Sequence, residues 1–142
     1  MSEYLQIPLA LGEITRKTEL PRIDIKQSIH EMVHLIAITS FEEVKHVPHF
    51  GSAIWEYDFE NVLNYFLLND QLRNSIRKSV LENEKRLSKV NVDLEIEQLE
   101  TGKKKHDICI KTAIKLQVSG LIKKTNEQFT HHESFFIGPL SY

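Results

Sequence analysis

A single cysteine, Cys109, leaves this 142-residue chain without an internal disulfide and suits a reducing compartment. Excess charge is equally scarce. A formal net charge of -2 gives no global attraction to nucleic acid or to an anionic membrane. The basic clusters, Arg73, Arg77 and Lys78 and then residues 103–105, lack the interleaved aromatics on which a single-strand binder stacks bases. No apolar run approaches the ~20 residues of a membrane span, and Met1-Ser2-Glu3-Tyr4 has no cationic leader segment. Repeats and low-complexity stretches are missing as well. These absences make the cytoplasm the expected location, with no nucleic acid, no membrane insertion and no cofactor.

What is present belongs to an ordinary globular chain. At 41% hydrophobic and 27% charged it can build a modest core, and its length fits one domain over residues 1–142. Residues 5–11 form a short apolar run broken by Pro8. Proline cannot donate to a sheet ladder, so this run predicts an edge strand or extended arm, and residues 1–22 are read as that arm. Pro21 and Asp24 then announce a helix. Ile25, Ile29, Met32, Val33 and Ile36 make its apolar stripe, and it should end near Thr39 and Ser40. Residues 41–52 carry Pro48 and Gly51 and read as an ordered loop.

Asp58 is placed to cap a second helical region containing Val62, Leu63, Phe66 and Leu67, then Leu72, Ile76 and Val80. Asn69-Asp70 interrupts that pattern, and a kink or two separate helices both fit. After Arg86 the period becomes two. Val90, Val92, Leu94 and Ile96 alternate as a half-buried strand, and Thr101-Gly102-Lys103 suggests a hairpin turn. A longer strand follows from Ile108 to Val118, then a turn at Gly120 and residues 123–126, then a third strand over residues 128–137. The expected fold is α+β: an N-terminal extended arm, then two to three helices packed on one face of a small antiparallel three-stranded sheet.

Two enzymatic patterns compete for attention. His30-Glu31-Met32-Val33-His34 is a literal H-E-x-x-H, the spacing that sets two imidazoles one helical turn apart for zinc with the glutamate as base. A zinc-dependent hydrolase would need a third protein ligand. Ala37 and Ser40 occupy the places where an extended zinc motif carries glycine and histidine. On a helical wheel His30 and His34 fall opposite the apolar stripe, which predicts a solvated polar face. A lysozyme-like muramidase would need two carboxylates flanking a sugar. Glu42, Glu43, Glu56, Asp58 and Glu60 are available, but nothing singles out a pair, and an acidic solvated loop explains them.

Two other motifs carry more. Pro48-His49-Phe50-Gly51-Ser52-Ala53-Ile54-Trp55 sets a permissive glycine between aromatic anchors, and Glu84-Lys85-Arg86 sets opposite charges where helix gives way to strand. In that order and spacing the pair resembles the small baseplate-wedge (GPW) family of contractile tails, which includes TssE of type VI secretion. The family's corner usually reads Glu-Pro-Arg and its loop Pro-x-Phe-Gly-Ser. Lys85 departs from that corner, and residues 39–44 lack the common Gly-Glu-Arg run, leaving Glu43 as its one match. The resemblance implies a non-enzymatic structural subunit with no small-molecule substrate. Its partners would be other wedge proteins and sheath subunits, TssF, TssG and TssB/TssC-like chains, with sheath assembly begun through exposed strand edges. Glu84, Lys85, Arg86, Phe50, Gly51, Ser52 and Trp55 are the implied interface residues. If the corner is exposed, Arg86→Ala should leave the fold intact and break docking alone.

Overall fold

The computed structural model describes residues 4–13, 15–16, 19–56, 65–101 and 109–137. The expected cap at Asp58, the apolar positions Val62, Leu63 and Ile108, and most of the turn after Thr101 lie outside them. Strand β1 (Tyr4–Leu5) pairs antiparallel with β2 (Arg22–Ile23), closing the arm on itself as a second, two-stranded sheet. The Asp24 side chain then accepts the Gln27 N–H at 2.8 Å and starts α1 (Ile25–Ile38). Ile29, Val33 and Ile36 are buried along one stripe, as expected, joined by Ala37, while Ile25 and Met32 pack against it partly buried. Thr39 ends the helix, with its N–H and its hydroxyl both donating to the Leu35 carbonyl.

Helix α2 (Tyr65–Asn83) runs unbroken through Asn69 and Asp70, so neither a kink nor a second cap forms there. Asn69 does not compete with its own helix. Its side-chain amide donates to the Leu94 carbonyl at 2.6 Å, while Asp70 takes Arg73 at 2.8 Å. The buried stripe is Leu68, Leu72, Ile76 and Val80. Phe66, read as core, is 84% exposed, and Leu67 is also exposed. The expected phase was off by one position at the start of the helix, because the polar Asn69 faces the sheet margin.

Strands β3 (Leu87–Thr101), β4 (Cys109–Ile122) and β5 (Gln128–Ile137) form an antiparallel meander in the order β3-β4-β5. Strand β3 begins three residues earlier than the alternation suggested, because its register shifts between Ser88 and Asn91 and conceals the period. Lys89 there has φ 51°. Gly120 lies within β4 and not in a turn: a Cβ at that position would come within 2.9 Å of the Ser88 carbonyl oxygen. The bulge therefore requires a glycine opposite it. Residues 123–125 make the turn, followed by Asn126 in the left-handed region.

Both helices cover one sheet face. Val90, Val92 and Leu94 from β3, Ile114, Leu116, Val118 and Ile122 from β4, and Phe129 and Phe135 from β5 meet the helix stripes in one cluster. The other face is mostly polar, with Asp93 opposite Gln117, Glu95 opposite Lys115, and His132 and Ser134 beyond them, while Phe136 stands exposed on it opposite Ala113. Side chains of α2 take up outward carbonyls of β3, Asn69 at Leu94 and Arg77 at Val90, the latter at 3.0 Å. Among the described residues no helix is long and apolar enough to cross a membrane.

Candidate functional site

The corner that follows α2 is built inward. Glu84 closes the last helical turn by donating its N–H to Val80 O, and its side chain is 2% exposed. One carboxylate oxygen accepts the Arg86 backbone N–H at 3.0 Å and Arg86 Nε at 2.8 Å. The other accepts an Arg86 terminal amine at 2.6 Å, completing a bidentate fork. The remaining terminal amine donates to Ser28 Oγ at 2.8 Å, in the first turn of α1, and the guanidinium lies 5.0 Å from the centre of the Tyr4 ring. The Arg86 carbonyl accepts Lys123 N–H from the β4–β5 turn. Hydrogen bonding to Glu84 is the main reason the Arg86 pKa rises above its ordinary value; burial works against it.

The expectation of an exposed charged corner is thus corrected. Lys85 is exposed, but Glu84 is buried and Arg86 is 25% exposed, with its fork already filled. Removing Arg86 would strand a buried carboxylate, so a silent effect on stability is no longer expected.

The Phe50-Gly51-Ser52 loop serves the opposite end of α1. Gly51 has φ +129°, and a Cβ there would meet the Thr39 carbonyl oxygen at 2.5 Å. That proximity lets Ser52 donate its N–H to Thr39 O at 2.8 Å and its hydroxyl to Ala37 O at 2.9 Å. Trp55 Nε1 donates to the same Ala37 carbonyl at 3.0 Å. The loop thereby satisfies carbonyls that a helix end leaves without intrahelical partners. Ser79 of α2 donates to Gly51 O at 2.6 Å, tying the loop to the second helix. Phe50 packs partly buried against the core, while Trp55 is 43% exposed with its ring edge-on to Phe135 at 6.0 Å. Corner and loop are not one patch. From Ser28 to Ala37, α1 separates them by about 14 Å at its rise per residue.

His30 turns toward the sheet and is only partly exposed, against the expectation of a solvated face. The His34 side chain is 52% exposed, as expected, and reaches the strand at Glu133. His30 sits with its ring centre 4.4 Å from that of Phe129, and its Nδ1 lies 2.9 Å from His131 Nδ1. His131 Nε2 meets Glu133 at 3.1 Å, and the other Glu133 oxygen accepts from His34 Nδ1. The four groups form a line, His30 to His131 to Glu133 to His34. Among the described residues no three histidine, cysteine, aspartate or glutamate side chains gather as a metal site requires. Glu31, the base of the zinc motif, instead accepts the Ile7 N–H at 2.7 Å and pins the arm. Of the acids considered for sugar cleavage, Glu43 accepts the Ser40 N–H at 2.9 Å and Glu42 is exposed. The Glu56 side chain, Asp58 and Glu60 lie outside the described residues.

Ser28, Tyr4, Ser79, His131 and Glu133 were not foreseen. Only His131 and Glu133 left a sequence signal, two polar residues on the inward phase of a strand otherwise marked there by Phe129 and Phe135.

None of the curated proteins matches the chain. Among solved structures, it is similar to a protein from Geobacter sulfurreducens provisionally named a tail lysozyme. The two share 17% identity with a TM-score of 0.56, over 87% of this chain and 100% of that one. The likeness concerns the fold. The family model described as "Baseplate wedge protein gp25" matches residues 23–127, a span that contains both the Gly51 loop and the Glu84–Arg86 corner. The chain belongs to the gp25 baseplate-wedge family.

Proposed function

We propose that this chain is a non-enzymatic subunit of the baseplate wedge of a contractile injection machine of the type VI secretion kind, acting in the cytoplasm. The observation that carries the reading is the family match over residues 23–127, with both motifs used as joints of the fold and not as reactive groups. A wedge subunit must present a rigid surface, and the two joints hold α1 at each end. Docking then falls to the outward parts of the same two regions: Lys85 and the exposed margin of Arg86 at the corner, and Phe50 and Trp55 around the buried Gly51-Ser52 hinge. TssF- and TssG-like wedge proteins are the partners proposed for these surfaces. TssB/TssC-like sheath strands are proposed for the sheet margins, where an added strand pairs with free backbone groups. The β5 margin is favoured, because α2 side chains occupy carbonyls on β3.

The test is co-purification with wedge partners and sheath formation in cells. Lys85→Glu combined with Trp55→Ala should leave the chain folded while losing partners and sheath. Normal assembly by that variant would withdraw the docking assignment. Hydrolysis of peptidoglycan by the purified chain would overturn the non-enzymatic reading.

A further inference from the structure

We propose that the line His30–His131–Glu133–His34 is a proton-operated clasp between α1 and β5, closed when His30 is neutral and opened by acid. Each side of the seam presents two groups at the spacing its backbone imposes. His30 and His34 are one helical turn apart on α1, and His131 and Glu133 are two residues apart on the inward face of β5. Their proton positions follow from the contacts. The Glu133 carboxylate accepts at both oxygens, from His131 Nε2–H and from His34 Nδ1–H. His131 then has a lone pair at Nδ1, and His30 donates its Nδ1–H to it across 2.9 Å.

One extra proton can be absorbed: on His131 Nδ1, if His30 moves its own proton to Nε2 and accepts. A second proton cannot. It would set two N–H groups and two positive charges face to face at the same joint.

The surroundings favour the neutral state of His30. Phe129 lies against its ring, and Lys26 adds a positive charge from its own helix. Asp24 opposes this from the helix start, and Glu133 lies one joint away beyond His131. Glu31 points to the arm, where it holds the Ile7 N–H. Burial first, then His131 and Lys26, lower the His30 pKa below its usual value. A proton on His34 would tighten its pair with Glu133, so release begins at the His30 joint. Opening would loosen β5, and with it the sheet margin that β5 forms, from its packing on α1. That this margin receives a partner strand rests on the reading above; the clasp itself does not.

The chain has one tryptophan, Trp55, and it spans the same seam, bonded to Ala37 of α1 and edge-on to Phe135 of β5. Its emission and the hydrogen exchange of β5 amides can be followed on the purified chain from about pH 7.5 to about pH 5, the histidine range. The expected result is a reversible red shift, with β5 exchange, corrected for its intrinsic pH dependence, rising by up to about tenfold per pH unit for one linked proton. His30→Gln keeps a donor but takes no proton, and should flatten both signals. His132→Gln, on the outer face of β5, should leave them as in the wild type. A wild-type chain flat over this range, or His30→Gln retaining the transition, would overturn the clasp. Should His30→Gln not fold, NMR of the wild-type rings decides. His30 and His131 must titrate together with the Trp55 indole, and independent titration refutes the proposal. All of this is read without partners, so a failure of docking and a failure of the clasp are distinguishable.

Discussion

Two polar clusters hold α1 against the rest of the molecule, and they respond oppositely to their surroundings. At the corner, Arg86 is charged at every physiological pH, and its environment strengthens that charge. At the seam, His30 is held toward its neutral form by burial and by positive neighbours. Both clusters lie partly out of water, yet only one can change its proton count within the range a cell experiences. A guanidinium makes a permanent joint, and an imidazole makes a conditional one.

The sharpest way to break the comparison is at the corner. Arg86→Ala should cost about 3–5 kcal/mol in chemical denaturation, because Glu84 is left buried without its partner. Replacing both partners by apolar residues, Glu84→Leu with Arg86→Met, should recover much of that loss. Equal losses for the single and double variants would mean that the pair's burial is not what stabilises it. Arg86→Lys should fall between, since an ammonium cannot fill two carboxylate oxygens in one plane.

Next in size is Gly51→Ala, expected to cost about 1–3 kcal/mol through backbone strain alone. The approach of its new Cβ to Thr39 O adds to that cost. It should disturb Trp55 emission at neutral pH, which Arg86→Lys should not.

The pH dependence separates the two clusters. His30 has a lowered pKa in the fold, so the unfolded chain binds more protons below about pH 6.5. Stability is therefore full above that pH and declines as pH falls toward the lowered value. The slope should stay well under the about 1.4 kcal/mol per pH unit of a whole proton, because water reaches part of the ring. Denaturation midpoints of wild type and His30→Gln should diverge on acidification, while those of wild type and Arg86→Lys should run parallel. The smallest effect sharpens the same point. Lys26→Gln should change stability by less than about 0.5 kcal/mol at neutral pH, yet lessen the loss on acidification, because without that positive charge the His30 pKa in the fold moves back toward its usual value.

Residues whose environment is made by near neighbours in the chain were legible in the sequence. The α1 stripe, the Asp24 cap, the β5 bounds and the change of period after Arg86 all depend on contacts within a few positions. What stayed hidden depended on distant ones. Asn69 looked like a breaker because its partner, the Leu94 carbonyl, is 25 residues away. Gly120 looked like a turn because the bulge at Ser88 that requires it is on another strand. Glu84 looked solvated because Ser28, Tyr4 and the β4–β5 turn enclose the corner only after folding. The two interface motifs could be picked out, but not the fact that their inner residues face the core.

Arg86 also bears on the order of folding events. Its contacts reach Tyr4 in the arm, Ser28 in α1 and Lys123 beyond β4, and the Ser28 contact alone spans 58 residues. Closing loops of that length is entropically slow, so these contacts form together only when the meander and both helices are already in place. Interactions absent from the transition state act on the unfolding rate and leave the folding rate nearly untouched. The corner is then a brake on opening: it sets how long the subunit persists once folded.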